Sequence, residues 1–185
     1  MTVFNGEHKR KIYLLLTEFS DTGTRVIQAL TGLKYPHASI GLDEDMNTFY
    51  SFVTKGFIVE KINRYVKPGR KNIPCRLYEM TVSEETYMKI KQALEEFIEF
   101  GEYFYYSKKS LVMSLLGLPY RTSRFGFFCS QFVAFILRES GIISKMKSIN
   151  GYFSDNLSDV SGMRLRFQGN LRVMMQNYCS VPCTT

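Results

Sequence analysis

The 185 residues read as a mixed α+β fold on three observations. Strand-like runs rich in β-branched and aromatic residues crowd the first half of the chain, separated by turn residues. An amphipathic helix follows Ser83, with Ile90, Leu94, Phe97, Ile98 and Gly101 recurring at helical spacing. Residues 125–137, Phe-Gly-Phe-Phe-Cys-Ser-Gln-Phe-Val-Ala-Phe-Ile-Leu, turn from irregular chain into a very apolar helix at Cys129. A hydrophobic content of 45% suffices for a core without disulfides or metal. No repeat, low-complexity tract or linker divides residues 1–185, so one domain is expected.

Taken in order, residues 11–19 form an apolar inner strand. The basic run His8-Lys9-Arg10-Lys11 before it imitates a signal peptide, but Thr17 and Glu18 cut the apolar stretch short. Ser20 or Asp21 then caps a helix with Val26, Ile27 and Leu30 on one face, and Gly32 stops it. Residues 35–42 and 46–53 make a hairpin around Asp43-Glu44-Asp45, a loop that sets His37 opposite Ser51; a two-residue loop would set Phe52 there. Residues 56–62 are a further short strand, 64–74 a basic loop marked by Pro68 and Gly69, and 75–82 a strand. Ser83, followed by Glu84 and Glu85, starts the amphipathic helix. A second helix spans 107–116 before Gly117-Leu118-Pro119, and the cysteine helix stops near Gly141. Residues 152–160 hold a short helix, 163–175 one or two late strands, and the tail from Cys179 is irregular.

Chemistry concentrates on Cys129. A cysteine at a helix start lies among free backbone N–H groups at the positive end of the dipole, which favours the thiolate, the nucleophilic form. Its natural activator is an imidazole, and of the two histidines His8 sits beside a basic cluster while His37 lies in a strand. Ser51, facing His37 in the first register, would accept the ring N–H and fix its tautomer. The Cys129 backbone N–H is the first oxyanion donor, with Tyr120 a candidate for the second. Cys75 in a strand, and Cys179 and Cys183 in the tail, read as reduced packing residues, since no Cys-x-x-Cys pair exists.

Other chemistries fail on their residues. Asp43-Glu44-Asp45-Met46-Asn47 opens like a calcium loop, but Thr48 stands where the turn glycine belongs and Thr54 where the closing glutamate belongs. There is no His-Glu-x-x-His, Walker loop, Gly-x-Gly-x-x-Gly or Gly-x-Ser-x-Gly. Neither metal nor cofactor is expected.

His37-Ala38-Ser39-Ile40-Gly41-Leu42 in one strand, Phe49-Tyr50-Ser51-Phe52 in the next, and Phe128-Cys129-Ser130-Gln131-Phe132-Val133 opening a helix resemble the circularly permuted NlpC-type papain-like hydrolases. Their order of histidine, polar residue and cysteine is the order found here. The resemblance implies a papain-like α+β fold, with the cysteine helix on an antiparallel sheet or small barrel that carries the histidine. It implies Cys129 as nucleophile, His37 as base and a third residue at or near Ser51. Serine departs from the His, Glu, Asn or Gln common there, which leaves Asn47 or Tyr50 as substitutes. The superfamily includes amidases and peptidases, and the permuted branch includes relatives of lecithin:retinol acyltransferase that form acyl thioesters from lipids.

The expectation is a cysteine hydrolase or acyltransferase acting on a peptide, amide or lipid acyl group. The rival is a non-catalytic module of the same fold that engages an anionic partner, nucleic acid or a membrane surface, through residues 64–71, in keeping with a net charge of +7. No sequence-specific nucleic-acid partner is expected. No apolar run approaches the roughly twenty residues of a membrane-spanning helix, so a soluble, cytoplasmic protein is expected.

Overall fold

A computed structural model describes residues 8–19, 27–29, 31–42, 46–121 and 125–178. Its centre is a six-stranded antiparallel sheet in the order β4-β3-β2-β1-β5-β8, built from β1 (Lys9–Thr17), β2 (His37–Leu42), β3 (Thr48–Val53), β4 (Gly56–Lys61), β5 (Pro74–Ser83) and β8 (Arg164–Asn170). With β4 and β8 at its edges the sheet is open. β1 is central and buried on both faces, which explains its nearly unbroken apolar sequence. Ile12, Leu14 and Leu16 enter the larger core with the helices α1 (Glu84–Glu99) and α3 (Cys129–Glu139), whereas Leu15 enters a smaller core with Leu77, Leu171, Met174 and Met175.

α1 begins where Ser83 accepts a hydrogen bond from the Thr86 N–H, with Glu84 and Glu85 on the positive end of the dipole. It buries Tyr87, Ile90, Leu94 and Phe97, while Ile98, expected on the same stripe, is half exposed. α2 (Lys108–Leu115) is capped by Ser107 in the same manner. α3 buries eight of its eleven residues. Phe132, with no exposure, packs its ring 5.0 Å from Phe97 and 5.2 Å from Phe52, joining α3 to α1 and β3. Burial of this kind stabilises by about 2–3 kcal/mol per large apolar side chain. Just before α3, the two-residue strands β6 (Tyr105–Tyr106) and β7 (Gly126–Phe127) pair in parallel and fix where the helix starts.

Two expectations change, and a third falls largely outside the described residues. The hairpin pairs Ile40 with Tyr50 and Gly41 with Phe49, so the register facing His37 with Ser51 is not the one adopted, nor is its two-residue-loop alternative. Met46 and Asn47 belong to the turn, with Asn47 accepting hydrogen bonds from the Ile62 and Asn63 N–H groups. Phe49 also lays its ring over Gly41, where an added Cβ would stand 2.7 Å from the ring. Second, residues 163–175 are one strand followed by a helix, α5 (Leu171–Tyr178), because Asn170 caps the Val173 N–H and Leu171, Met174 and Met175 bury one face. A five-residue helix, α4 (Ser154–Ser158), precedes them. Third, the proposed helix before Gly32 is described only at 27–29 and 31, which are helical; its cap at Ser20 or Asp21 and residues 22–26 lie outside the described residues, as do Asp43-Glu44-Asp45, Cys179 and Cys183.

Candidate active site

His37 is the first residue of β2 and Cys129 the first of α3, so strand and helix begin at the same place. Sγ of Cys129 lies 3.6 Å from the carbonyl oxygen of Pro36, to which the thiol donates, and the neighbouring His37 ring lowers the pKa of that thiol. The start of α3 suits an anion. Phe128 stands at the N-cap and offers no side-chain acceptor, so the first-turn N–H groups are not capped by it. Backbone N–H groups of Ala38 and Ser130 add to what favours the charged form of the sulfur.

The other side of the imidazole is held by a residue that the sequence did not single out. His37 Nε2 lies 2.8 Å from Glu60 Oε1, and Ser39 Oγ donates to Glu60 Oε2 at 2.5 Å. With Nε2 taken by Glu60, Nδ1 is the nitrogen left for the sulfur. The ladder explains the placement. His37, Ser39 and Gly41 share one face of β2, Gly41 pairs with Phe49, and Phe49 pairs with Glu60 on β4. Phe49 lies down over Gly41 and Ser51 is small, so the Glu60 side chain crosses β3 between them to reach β2. Glu60 is 3% exposed, His37 8% and Cys129 6%.

Burial opposes charge on all three groups, and their mutual contacts overcome it. His37 is pulled down by desolvation, yet the Glu60 carboxylate and the Cys129 sulfur raise it from 6.5 to about 10. The Cys129 thiol is pushed up by burial but ends below its ordinary value, through the His37 hydrogen bond and charge and the two backbone N–H groups. Glu60 likewise ends below the usual carboxylate value through His37 and the Ser39 hydroxyl. All three shifts run toward the charged forms, thiolate, imidazolium and carboxylate.

Ser51 does not touch the imidazole: its hydroxyl donates to the Ala38 carbonyl at 2.6 Å. Of the substitutes, Asn47 is engaged with Asn63, and Tyr50 stacks on Phe57 at 6.5 Å on the opposite face. Tyr120 is not available as an oxyanion donor. Ser114 Oγ gives its single proton to the Asn150 carbonyl, so the 2.7 Å contact between Ser114 and Tyr120 consumes the phenolic proton. Tyr120 then accepts from Gln131 Nε2 at 3.1 Å and serves to tie α2 to the first turn of α3.

Among the described residues, no group of three or more His, Cys, Asp or Glu side chains is placed to hold a metal ion, and no helix is long and apolar enough to cross a membrane. No protein-family model matches the chain, and no curated protein matches it significantly.

Proposed function

We propose that the protein is a cysteine-dependent hydrolase or acyltransferase of the permuted papain-like kind, with Cys129 as nucleophile, His37 as base and Glu60 as the residue that orients the ring. The observation that carries this reading is the single imidazole held between a buried carboxylate at 2.8 Å and a sulfur at a helix start. Such a chain of contacts is what nucleophilic acyl transfer requires. A merely packed thiol has no need of it.

The Cys129 thiolate attacks the carbonyl carbon of an amide or ester, a C–S bond forms, and the carbonyl oxygen takes the negative charge beside the Cys129 N–H. The imidazolium gives its Nδ1 proton to the leaving amine or alcohol as the C–N or C–O bond breaks. Water or a second acceptor then loses a proton to His37, attacks the thioester and returns the thiolate. Glu60 stabilises the imidazolium throughout and stays ionised. The pair lies just beneath the surface, and Phe19, packed edge-on to His37 with ring centroids 5.1 Å apart, covers the ring.

The test is formation of the thioester. An activated ester probe, followed by intact-mass spectrometry and peptide mapping, is expected to place one acyl group on Cys129, with release of the ester's alcohol, and none at position 129 in Cys129→Ala. Acylation spread over all the cysteines at rates that follow ordinary thiols would sink the catalytic reading and leave the binding module.

A further inference from the structure

From residue 61 to residue 78 the chain carries Lys61, Arg64, Lys67, Arg70, Lys71 and Arg76 and no Asp or Glu. Several cations elsewhere are met by carboxylates, as in Arg10 with Glu84, Lys11 with Glu79 and Lys89 with Glu85. Arg64, Lys67, Arg70 and Lys71 are exposed, and none has an acidic partner among the described residues. Four unpaired cations in eight residues repel one another, and that cost stands until an anion arrives.

The loop holds them in a fixed arrangement. Pro68 and Gly69 form a turn closed by the Arg70 N–H on the Lys67 carbonyl at 3.1 Å, and Gly69 takes φ +78°, the left-handed value a glycine supplies without strain. Arg172 on α5 spans the turn, donating to the Lys67 and Arg70 carbonyls at 3.3 and 3.4 Å. The guanidinium is thereby used as a staple, and the four neighbours point their charges outward. The loop also abuts the candidate active site. Tyr65 packs on Phe19 with centroids 5.0 Å apart, Phe19 packs on His37, and the Glu60 charge reaches the Tyr65 hydroxyl and helps hold its proton on.

We propose that this loop recognises an acidic stretch of polypeptide and delivers it to Cys129. The inference deepens the acyl-transfer reading and takes its meaning as a substrate surface from it. The kind of anion follows from what the loop lacks. Residues 62–73 expose no large apolar side chain to insert into a bilayer. Their one aromatic, Tyr65, is half-buried against Phe19 and not free to stack on a base. What remains is charge pairing with side-chain carboxylates along an extended chain, beside a nucleophile suited to an amide.

Binding is measured in a Cys129→Ala background, so the result does not depend on catalysis. Fluorescence anisotropy with a short fluorescein-labelled oligoglutamate peptide is compared with an oligonucleotide of equal charge and with phosphatidylserine vesicles. The peptide is expected to bind, to weaken as salt rises, and to lose more than about tenfold in affinity when Arg64, Lys67, Arg70 and Lys71 are changed to Glu. Changing Lys108 and Lys109 on α2 to Glu should leave it bound, and circular dichroism should show both variants folded. Absence of peptide binding, equal binding by the loop variant, or stronger capture of the oligonucleotide or the vesicles by the same four residues would overturn the proposal. Failure of Cys129 to acylate while the peptide still binds through the loop would remove the catalytic reading and leave the recognition surface standing.

Discussion

Cys75 and Cys129 are both buried, both sit in contact with the central sheet, and burial alone would push both thiols up. For Cys75 that is the whole story: it lies in β5 among Leu15, Leu77 and Met174, and desolvation carries its thiol to about 12. Cys129 ends on the other side of its ordinary value, because an imidazole, two backbone N–H groups and, behind them, Glu60 meet it at the start of a helix. The difference shows that depth does not decide whether a thiol is inert. The groups that share its proton do.

The largest expected effect comes from taking away the imidazole. In His37→Ala the Cys129 sulfur keeps its burial and loses its principal compensation, so it should come to resemble Cys75. At pH 6.5 even a thiol of ordinary pKa is about 1% ionised, and one raised by burial far less, so the rate of iodoacetamide labelling at Cys129 should fall by about a hundredfold or more. Quantitative peptide mapping reads both cysteines in one sample, with Cys75 slow in wild type and variant alike. Equal labelling of Cys129 with and without His37 would erase the contrast.

Glu60→Gln sharpens the comparison at one remove. The glutamine can still accept from Ser39 but carries no charge, so the imidazolium loses the strongest influence that raises it. Labelling of Cys129 at pH 6.5 should fall by about tenfold, less than in His37→Ala, because the ring itself remains. Ser51→Ala, whose hydroxyl meets only the Ala38 carbonyl, should leave the rate unchanged. A Ser51→Ala effect equal to that of Glu60→Gln would mean that the third position had been assigned to the wrong residue.

Cys129 and His37, which the fold brings side by side, stand out in the chain because their signals are local: a cysteine opening an apolar helix, and a histidine with one rival. The antiparallel strands were legible for the same reason. Glu60 was not, because its partner is two strands away, and reaching it takes two hairpin registers in succession. The first of these depends on where the turn ends, which is at Asn47 and not at Asp45. Within β4 the burial is the reverse of what composition suggests, with Val59 38% exposed and Glu60 3%. Strand alternation, once the register of β3 is known, would have set Glu60 on the face of His37. The late helix α5 escaped for a different reason: Leu171, Met174 and Met175 suit a helical face, but a short apolar segment after a strand reads equally well as more strand.

The smallest effect is the most direct test of where the proton sits. His37 is raised in the fold from 6.5 to about 10 against the pull of burial, so its contribution to stability is full below 6.5 and is lost as pH rises through about 10. Cys129, lowered from 9.0, runs the other way: its contribution is full above 9.0 and is lost as pH falls through the lowered value. Where the two windows overlap, below 9.0 and above both 6.5 and the lowered Cys129 value, folding moves a proton from sulfur to ring with little exchange with solvent, and the two slopes oppose each other. Cys129→Ala removes one slope and leaves the other, since Glu60 still holds the imidazolium. Urea unfolding across that window should therefore give a nearly level stability in the wild type, and a decline with rising pH in the variant, on the order of 1 kcal/mol per pH unit at its steepest. Cys75 is common to both proteins and cancels. Parallel profiles would mean that no proton passes from sulfur to imidazole in the folded state, and that Cys129 is, after all, a second Cys75.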